Sequence, residues 1–183
     1  MCTKPESKGK TKDKLKDTSK EHKKHAKISA GFAIITLSNT RTLKEDTSGD
    51  LIQEIAENNN HKVLFRKVIP DSKAVLEKTI RELLKNKEAQ VIVTNGGTGL
   101  ASTDITIETL APKFEKDIPG FSALFWLLGY EQAKSATMLS RAAAGTISGK
   151  VVFCLPGSPR ACKMAVEELI IPEIGHILKH AKK

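Results

Sequence analysis

Four short segments rich in aliphatic residues, separated by stretches with helical periodicity, constrain the fold of this chain more than any other feature. They lie at residues 32–38, 63–69, 90–94 and 151–155. Short apolar runs of this kind are typical of strands in a buried sheet. Between the second and third segments, residues 75–84 place apolar side chains on one helical face. The sequence therefore predicts an α/β fold of three layers, with helices on both faces of a mostly parallel, Rossmann-like sheet.

Smaller elements are predicted from local signals. Residues 137–148, followed by Gly149, are typical of a short hairpin. Thr47 or Ser48 is expected to cap the first helix, and Pro172 to kink the last one.

The first 27 residues differ sharply from the rest. They hold ten lysines and four acidic residues, so the net charge of +9 divides into +6 for this segment and +3 for the remainder. A segment with so little apolar surface cannot offset the entropy of ordering. We predict a disordered lysine-rich tail at residues 1–27 and one folded domain at 28–183. The tail could hold RNA, but it has neither arginine nor aromatic residues, which favours a simple solvated tail and disfavours nucleic-acid binding.

Membrane and secreted proteins are disfavoured. No apolar run approaches the roughly 18 residues of a membrane span, and no apolar segment follows the amino-terminal lysines as in a signal peptide. The three cysteines, Cys2, Cys154 and Cys162, form no zinc or redox spacing. Their sparse, odd number predicts a cytoplasmic protein.

A glycine-rich loop directly follows the third predicted strand. In open α/β sheets, ligands bind outside the carboxyl ends of the strands. Gly96, Gly97 and Gly99 would let backbone N–H groups approach an anion, and Thr98 adds a hydroxyl donor. The loop matches neither the Walker A pattern nor G-x-G-x-x-G. It is either a phosphate-binding loop or a plain turn between a strand and a helix.

Two aspartates are expected at the same edge of the sheet. Asp71 and Asp104 each precede a predicted helix, so each could simply be a capping residue. Side by side, however, two carboxylates could hold Mg²⁺ against a polyphosphate.

Other polar residues leave alternatives open. Arg141, next to Ser140, could bind a phosphate through its fork of donors or form a surface salt bridge. His176 and His180 have the i, i+4 spacing of a helical metal clamp, although no third ligand lies nearby in the sequence.

Nine motifs occur in an order that is more specific than any one of them. They are Thr-Leu-Ser-Asn-Thr-Arg at 36–41, Glu-Asp-Thr-Ser-Gly at 45–49, Ile-Pro-Asp at 69–71, Asn-Gly-Gly-Thr-Gly-Leu at 95–100, Asp-Ile-Thr at 104–106, Ile-Pro-Gly-Phe at 118–121, Leu-Ser-Arg at 139–141, Ala-Gly at 144–145 and Pro-Gly-Ser at 156–158. Together they resemble the MogA/MoaB family of molybdenum cofactor biosynthesis proteins, over residues 28–179. The Ala-Cys-Lys stretch at 161–163 is most similar to the MoaB branch.

The resemblance implies a Mg²⁺-dependent transfer of AMP from ATP to the terminal phosphate of molybdopterin, which releases pyrophosphate. It also implies a homotrimer or homohexamer that hands its product to a MoeA-type metal-insertion protein. The matching residues are Asp71 and Asp104 for catalysis and Mg²⁺; Gly96, Gly97, Thr98, Gly99, Pro156, Gly157 and Ser158 for the nucleotide; and Asp46, Ser48, Gly49, Ser140 and Arg141 for the pterin and its phosphate.

Two other functions fit parts of the sequence. Asn95 and Thr103 stand where the family usually has threonine and arginine, so a catalytically weak protein that binds molybdopterin or nucleotide is the alternative. A MoeA-type protein shares the fold, but its further domains would not fit into 183 residues.

Overall fold

The computed structural model describes residues 29–181, so the predicted tail at 1–27 lies outside the described residues. Within them, six strands form one sheet. The strands are β1 (Gly31–Leu37), β2 (Lys62–Ile69), β3 (Ala89–Asn95), β4 (Lys116–Asp117), β5 (Ala143–Ile147) and β6 (Lys150–Leu155).

The sheet is mostly parallel, as predicted. Its strand order is β2-β1-β3-β6-β5-β4. The first four strands in this order run parallel to one another, and β5 and β4 add an antiparallel edge. β2 is the other edge strand, and its side chains are largely part-exposed. All four parallel strands therefore end at the same edge, which is where a ligand site is expected.

Helices cover both faces. They are α1 (Thr47–Asn58), α2 (Lys73–Lys85), α3 (Thr106–Leu110), α4 (Pro119–Ala133), α5 (Pro159–Met164) and α6 (Ile171–Ala181). Short 3₁₀ turns occupy Leu43–Glu45, Ala111–Lys113 and Lys134–Leu139, and a π-helical turn, Ala165–Ile170, joins α5 to α6. No helix among residues 29–181 combines the length and apolar character that crossing a membrane requires.

The core is divided by the sheet into two apolar layers. Alternate residues of the central strands point to opposite faces. Phe32, Ile34, Val91, Val93 and Phe153 pack on one side with α1, α4 and the carboxyl-terminal helices. Ala33, Ile35, Ile92, Val152 and Cys154 pack on the other side with α2 and α3. The three-layer α/β prediction is confirmed.

Two local predictions need correction. The hairpin pairs β5 with β6, so residues 137–148 supply only one of its strands, and their first part is a 3₁₀ turn. Asp46, rather than Thr47 or Ser48, caps α1, because its side chain accepts a hydrogen bond from the Gly49 N–H at 3.0 Å. A π turn ends two residues before Pro172, where the sequence predicts a kink, and the kink itself stays a prediction.

Candidate active site

A cleft of about 560 Å³ opens at the carboxyl edge of the parallel strands. Loops after β1, β2, β3 and β6 form its walls, together with the segment that precedes β5. The lining residues are 37–41, Asp71, Gly96, Gly97, Thr98, Gly99, Asp104, Leu139, Ser140, Arg141, Pro156, Gly157, Ser158 and Pro159. The cleft thus contains both predicted catalytic aspartates and the whole predicted nucleotide loop.

The glycine loop is shaped by close backbone packing. Gly96 and Gly97 have φ angles of +91° and +62°, a region that favours glycine. A Cβ atom on Gly96 would clash with the carbonyl oxygen of Leu37. A Cβ atom on Gly97 would lie 2.7 Å from the Thr106 Oγ1 atom. The loop therefore needs glycine for structural reasons, and all four of its residues, 96–99, line the cleft.

Both aspartates lie against this loop. A Cβ atom on Gly97 would approach the Asp71 Oδ1 atom to 3.0 Å, and one on Gly99 would approach the Asp104 Oδ2 atom to 2.8 Å. Burial, and then the negative charge of Asp104, raise the pKa of Asp71 above its ordinary value of 3.8. The two carboxylates are thus close enough to repel each other.

The donor set fits a magnesium ion. Mg²⁺ binds through one or two carboxylates together with phosphate oxygens. A cation between Asp71 and Asp104 would stabilise the ionised form of Asp71, which burial and then the charge of Asp104 disfavour. Each aspartate is fixed in place by a hydrogen bond that involves a backbone N–H group. The Asp71 N–H donates to the Asn39 Oδ1 atom at 3.0 Å, and the Asp104 Oδ2 atom accepts from the Ala101 N–H at 2.9 Å.

Arg141 is bonded to the glycine loop. Its Nε and Nη2 atoms donate to the carbonyl oxygens of Thr98 and Gly99, both at 2.8 Å, and its Nη1 atom donates to Glu108 Oε1 at 2.6 Å. The hydrogen bond from Arg141 also lowers the pKa of Glu108. The guanidinium therefore holds the loop in place, and it forms the salt bridge that the sequence left open. Ser140 lies beside it, and its carbonyl oxygen accepts from the Trp126 Nε1–H at 2.8 Å.

Side chains outside the Pro156-Gly157-Ser158 loop hydrogen bond to its carbonyl oxygens and fix its position. The Gly157 carbonyl oxygen accepts from the Ser48 hydroxyl at 2.9 Å and from the Arg41 Nη1 atom at 3.4 Å. The Pro156 carbonyl oxygen accepts from the Cys162 thiol at 3.1 Å. Burial raises the pKa of Cys162 to about 12, so this thiol is a structural donor and not a nucleophile.

Asp46, Ser48 and Gly49, which the resemblance links to the pterin, lie outside the cleft lining. All three are buried at the start of α1. Asp46 Oδ2 accepts from the Thr36 hydroxyl at 2.8 Å and pairs with Arg66 Nη2 at 3.1 Å. In this structure the three residues do not line the cleft; they lie behind the loops that do.

A buried polar chain extends this support to the glycine loop. The Asn95 Nδ2 atom donates to Thr36 Oγ1 at 2.9 Å, and Thr36 donates in turn to Asp46. We call Asn95, Thr36, Asp46 and Arg66 the buried polar chain. Asn95 is fully buried and lies outside the cleft lining, so its amide serves the interior of the sheet and not a ligand directly.

Sequence reasoning missed several of these residues. Arg41 lines the cleft and bonds the Gly157 loop, and its place just after β1 was the available signal. The roles of Thr36 and Arg66 had no local signal, because their partners lie on other strands and on α1. Among the described residues, no group of three or more histidine, cysteine, aspartate or glutamate side chains could hold a metal ion.

The chain is similar in sequence to known proteins. Residues 33–176 match a family described as a probable molybdopterin-binding domain. The chain is 41% identical over 158 residues to the molybdenum cofactor biosynthesis protein B of Bacillus cereus, and the match covers 86% of this chain and 94% of that protein.

Solved structures agree with this relationship. A crystal structure of a molybdenum cofactor biosynthesis protein B superimposes with a TM-score of 0.82 at 38% identity, covering 85% of this chain and 98% of the other. The tungsten cofactor synthesizing protein MoaB from Pyrococcus furiosus gives a TM-score of 0.78 at 40% identity, covering 86% and 100%.

Proposed function

This chain belongs to the family of probable molybdopterin-binding domains, and on that premise we propose that it is a molybdopterin adenylyltransferase. Its role is in the biosynthesis of the molybdenum or tungsten cofactor, the process named for its relatives. The reaction is the transfer of AMP from ATP to molybdopterin, with pyrophosphate as the second product. The protein acts in the cytoplasm and hands the adenylylated product to a metal-insertion protein of the MoeA type.

One observation carries this proposal: two carboxylates and a glycine loop face one cleft at the carboxyl edge of the sheet. Glycines allow backbone N–H groups to approach phosphate oxygens closely. Asp71 and Asp104 would hold Mg²⁺, which when bound neutralises charge on the triphosphate. Pro156, Gly157 and Ser158 line the cleft beside the glycine loop and contact it, since a Cβ atom on Gly157 would lie 3.4 Å from the Cα atom of Gly96. The nucleotide is proposed to lie along the surface that these two neighbouring loops present to the cleft.

The transfer needs no nucleophile from the protein. A terminal phosphate oxygen of molybdopterin forms a bond to the α-phosphorus of ATP, and the bond from that phosphorus to the oxygen that bridges to the β-phosphate breaks. Pyrophosphate carries away the electron pair. The chain's own residues position two polyanions and orient donors toward the charge that develops on the α-phosphate. Arg141 contributes by holding the carbonyl oxygens of Thr98 and Gly99, so that the loop keeps its shape.

The pterin is proposed to occupy the part of the cleft lined by residues 37–41, 139 and 140. Asp46, Ser48 and Gly49 act there through the loops that they support. Ser48 holds the Gly157 carbonyl oxygen, and the buried polar chain reaches the start of the glycine loop.

The test uses ATP labelled at the α-phosphate, together with Mg²⁺ and molybdopterin. The proposal expects label to move onto the pterin in the same amount as pyrophosphate is released. If both ligands bind saturably but no label moves, the chain is a binding protein, which is the alternative that Asn95 and Thr103 left open.

A further inference from the structure

A pair of histidines on α6 has a geometry that the proposed function does not use. The Nε2 atoms of His176 and His180 lie 3.1 Å apart, and their ring centroids are 4.9 Å apart with the planes inclined at 69°. The i, i+4 spacing places both rings on one face of the helix. Ile174, Gly175 and Leu178 form the buried face of the same helix, so the pair lies toward solvent.

We propose that His176 and His180 form a binding site for a divalent transition-metal ion such as Zn²⁺. Histidine nitrogens bind zinc at about 2.0–2.1 Å, so two of them on one ion lie about 2.8–3.4 Å apart for angles between about 90° and the tetrahedral value. The observed 3.1 Å falls within this interval; at this distance the two nitrogens share one proton in a hydrogen bond, which the ion would replace. Neutral imidazole also suits Cu²⁺ and Ni²⁺.

A carboxylate orients one of the two rings. The Glu173 Oε2 atom lies 3.4 Å from His176 Nδ1, on the opposite side of the ring from Nε2. Metal-binding histidines commonly donate their second N–H to a carboxylate, which fixes the tautomer with an unprotonated Nε2 and makes that nitrogen a better ligand. Glu173 is thus an orienting residue and not a ligand. Water fills the remaining coordination positions, since both histidines are partly or wholly exposed.

The site is separate from the active-site cleft. The helical run begins at Pro159, which lines the cleft, and His176 follows 17 residues later. At 1.5 Å per residue this corresponds to about 25 Å. The ion therefore takes no part in the chemistry at the cleft, and the proposal does not depend on the proposed function.

The experiment is a calorimetric titration of the full chain with Zn²⁺. The background carries Cys2→Ser, His22→Gln and His25→Gln, because these amino-terminal residue types also bind zinc, and Asp104→Ala, because the carboxylate pair at the cleft is proposed to hold a divalent ion. We expect one ion per chain, and at least a tenfold loss of affinity in His176→Ala or His180→Ala. Glu173→Gln should weaken binding by about 10- to 100-fold, as for other orienting carboxylates.

The matched control keeps two imidazoles but separates them. His180→Ala combined with Ala181→His gives i, i+5 spacing, which turns the second ring to another face of the helix, and it should bind as weakly as His180→Ala. The proposal is overturned if the background protein binds no zinc saturably. It is equally overturned if His180→Ala or the i, i+5 variant binds zinc as tightly as the background.

Discussion

Asp71 and Asp104 both lie against the glycine loop, and the charge of Asp104 acts on Asp71. Burial and the charge of Asp104 raise the pKa of Asp71. The folded state therefore prefers Asp71 protonated more than the unfolded state does. Stability accordingly falls as the pH rises from the unfolded pKa of Asp71 through its higher folded pKa, and the full cost is present at neutral pH.

Asp71→Asn should remove this cost. We expect the variant to have a higher free energy of unfolding than the wild type at neutral pH, measured by urea denaturation. The gain should shrink as the pH falls toward the ordinary aspartate value of 3.8, where the wild-type carboxyl is also protonated. Turnover should fall at the same time, because a neutral amide at this position cannot hold Mg²⁺ as a carboxylate does. A variant less stable than the wild type at neutral pH would contradict this account.

Gly97 and Gly120 form a natural pair for testing the glycine loop. Gly97 has a φ of +62° and lacks room for a Cβ atom, whereas nothing lies within 4 Å of a Cβ atom on Gly120 in α4. Gly97→Ala should destabilise the protein by about 1–3 kcal/mol through backbone strain and clash and should weaken ATP binding. Gly120→Ala should be neutral or stabilising by up to about 1 kcal/mol. Equal thermal midpoints for the two variants would refute the packing argument.

At the scale of elements, the buried polar chain joins β1, β2 and β3 to the start of α1. Its ion pair is Asp46 with Arg66, whose side chains are 0% and 15% exposed. Arg66 also pairs with Asp50, which is 60% exposed. The same guanidinium therefore makes one buried and one surface interaction.

Arg66→Met should destabilise the protein by about 3–5 kcal/mol, because it leaves the buried Asp46 carboxylate without its partner. Asp50→Asn is the matched control. It removes only the surface half of the interaction and should cost at most about 1 kcal/mol. Urea denaturation of both variants tests this prediction. Similar losses of unfolding free energy in the two would show that the buried pair contributes no more to stability than the surface pair.

The central elements could be predicted from the sequence because their signals are local. Apolar runs identify β1, β3 and β6, since strands buried on both faces need no polar alternation. β4 is only Lys116–Asp117 and has no sequence pattern of its own. For β5 the sequence indicated a hairpin, but not that its partner is β6. The π turn before α6 likewise has no signature in residues 165–170.

The candidate site could likewise be predicted only in part. Parallel strands end at one edge, so loops that follow β2 and β3 had to bring Asp71 and Gly97 together. The partners of Arg141 and Asp46 could not be foreseen, because they depend on contacts across 42 and 20 residues of chain. Arg141 bonds backbone carbonyl oxygens, and Asp46 bonds buried side chains. No local sequence pattern distinguishes residues with these contacts from residues that bind a ligand.

At the scale of the molecule, one surface is unusually apolar. Exposed large side chains cluster on α4 and the turn that follows, namely Leu124, Trp126, Leu127, Tyr130, Met138 and Leu139. Large apolar side chains that are exposed together on one element and the turn after it indicate an interaction surface. Trp126 also bonds the Ser140 carbonyl oxygen, so the patch adjoins the cleft. We propose that copies of the chain associate through this surface, in keeping with the trimer or hexamer that the resemblance implies.

Leu127→Glu should shift the protein toward smaller species in light scattering coupled to size-exclusion chromatography. Leu127 is 60% exposed, so the folded monomer tolerates the charge, whereas burial of an unpaired carboxylate in an interface is costly. Leu43→Glu, at a 52% exposed position away from the patch, should leave the assembly unchanged. The same mass for Leu127→Glu and the wild type would exclude this surface.

The most direct test of the central claim is the turnover number for molybdopterin-dependent pyrophosphate release, compared among the wild type, Asp104→Ala and Asp117→Ala. Asp117 is an exposed aspartate on β4, outside the cleft lining. Asp104→Ala should retain the wild-type fold but lose at least about 10²-fold in turnover, as expected when a group that stabilises transition-state charge is removed, while Asp117→Ala should be unaffected. Turnover near the wild-type value in Asp104→Ala would contradict the assignment of adenylyl transfer to this cleft.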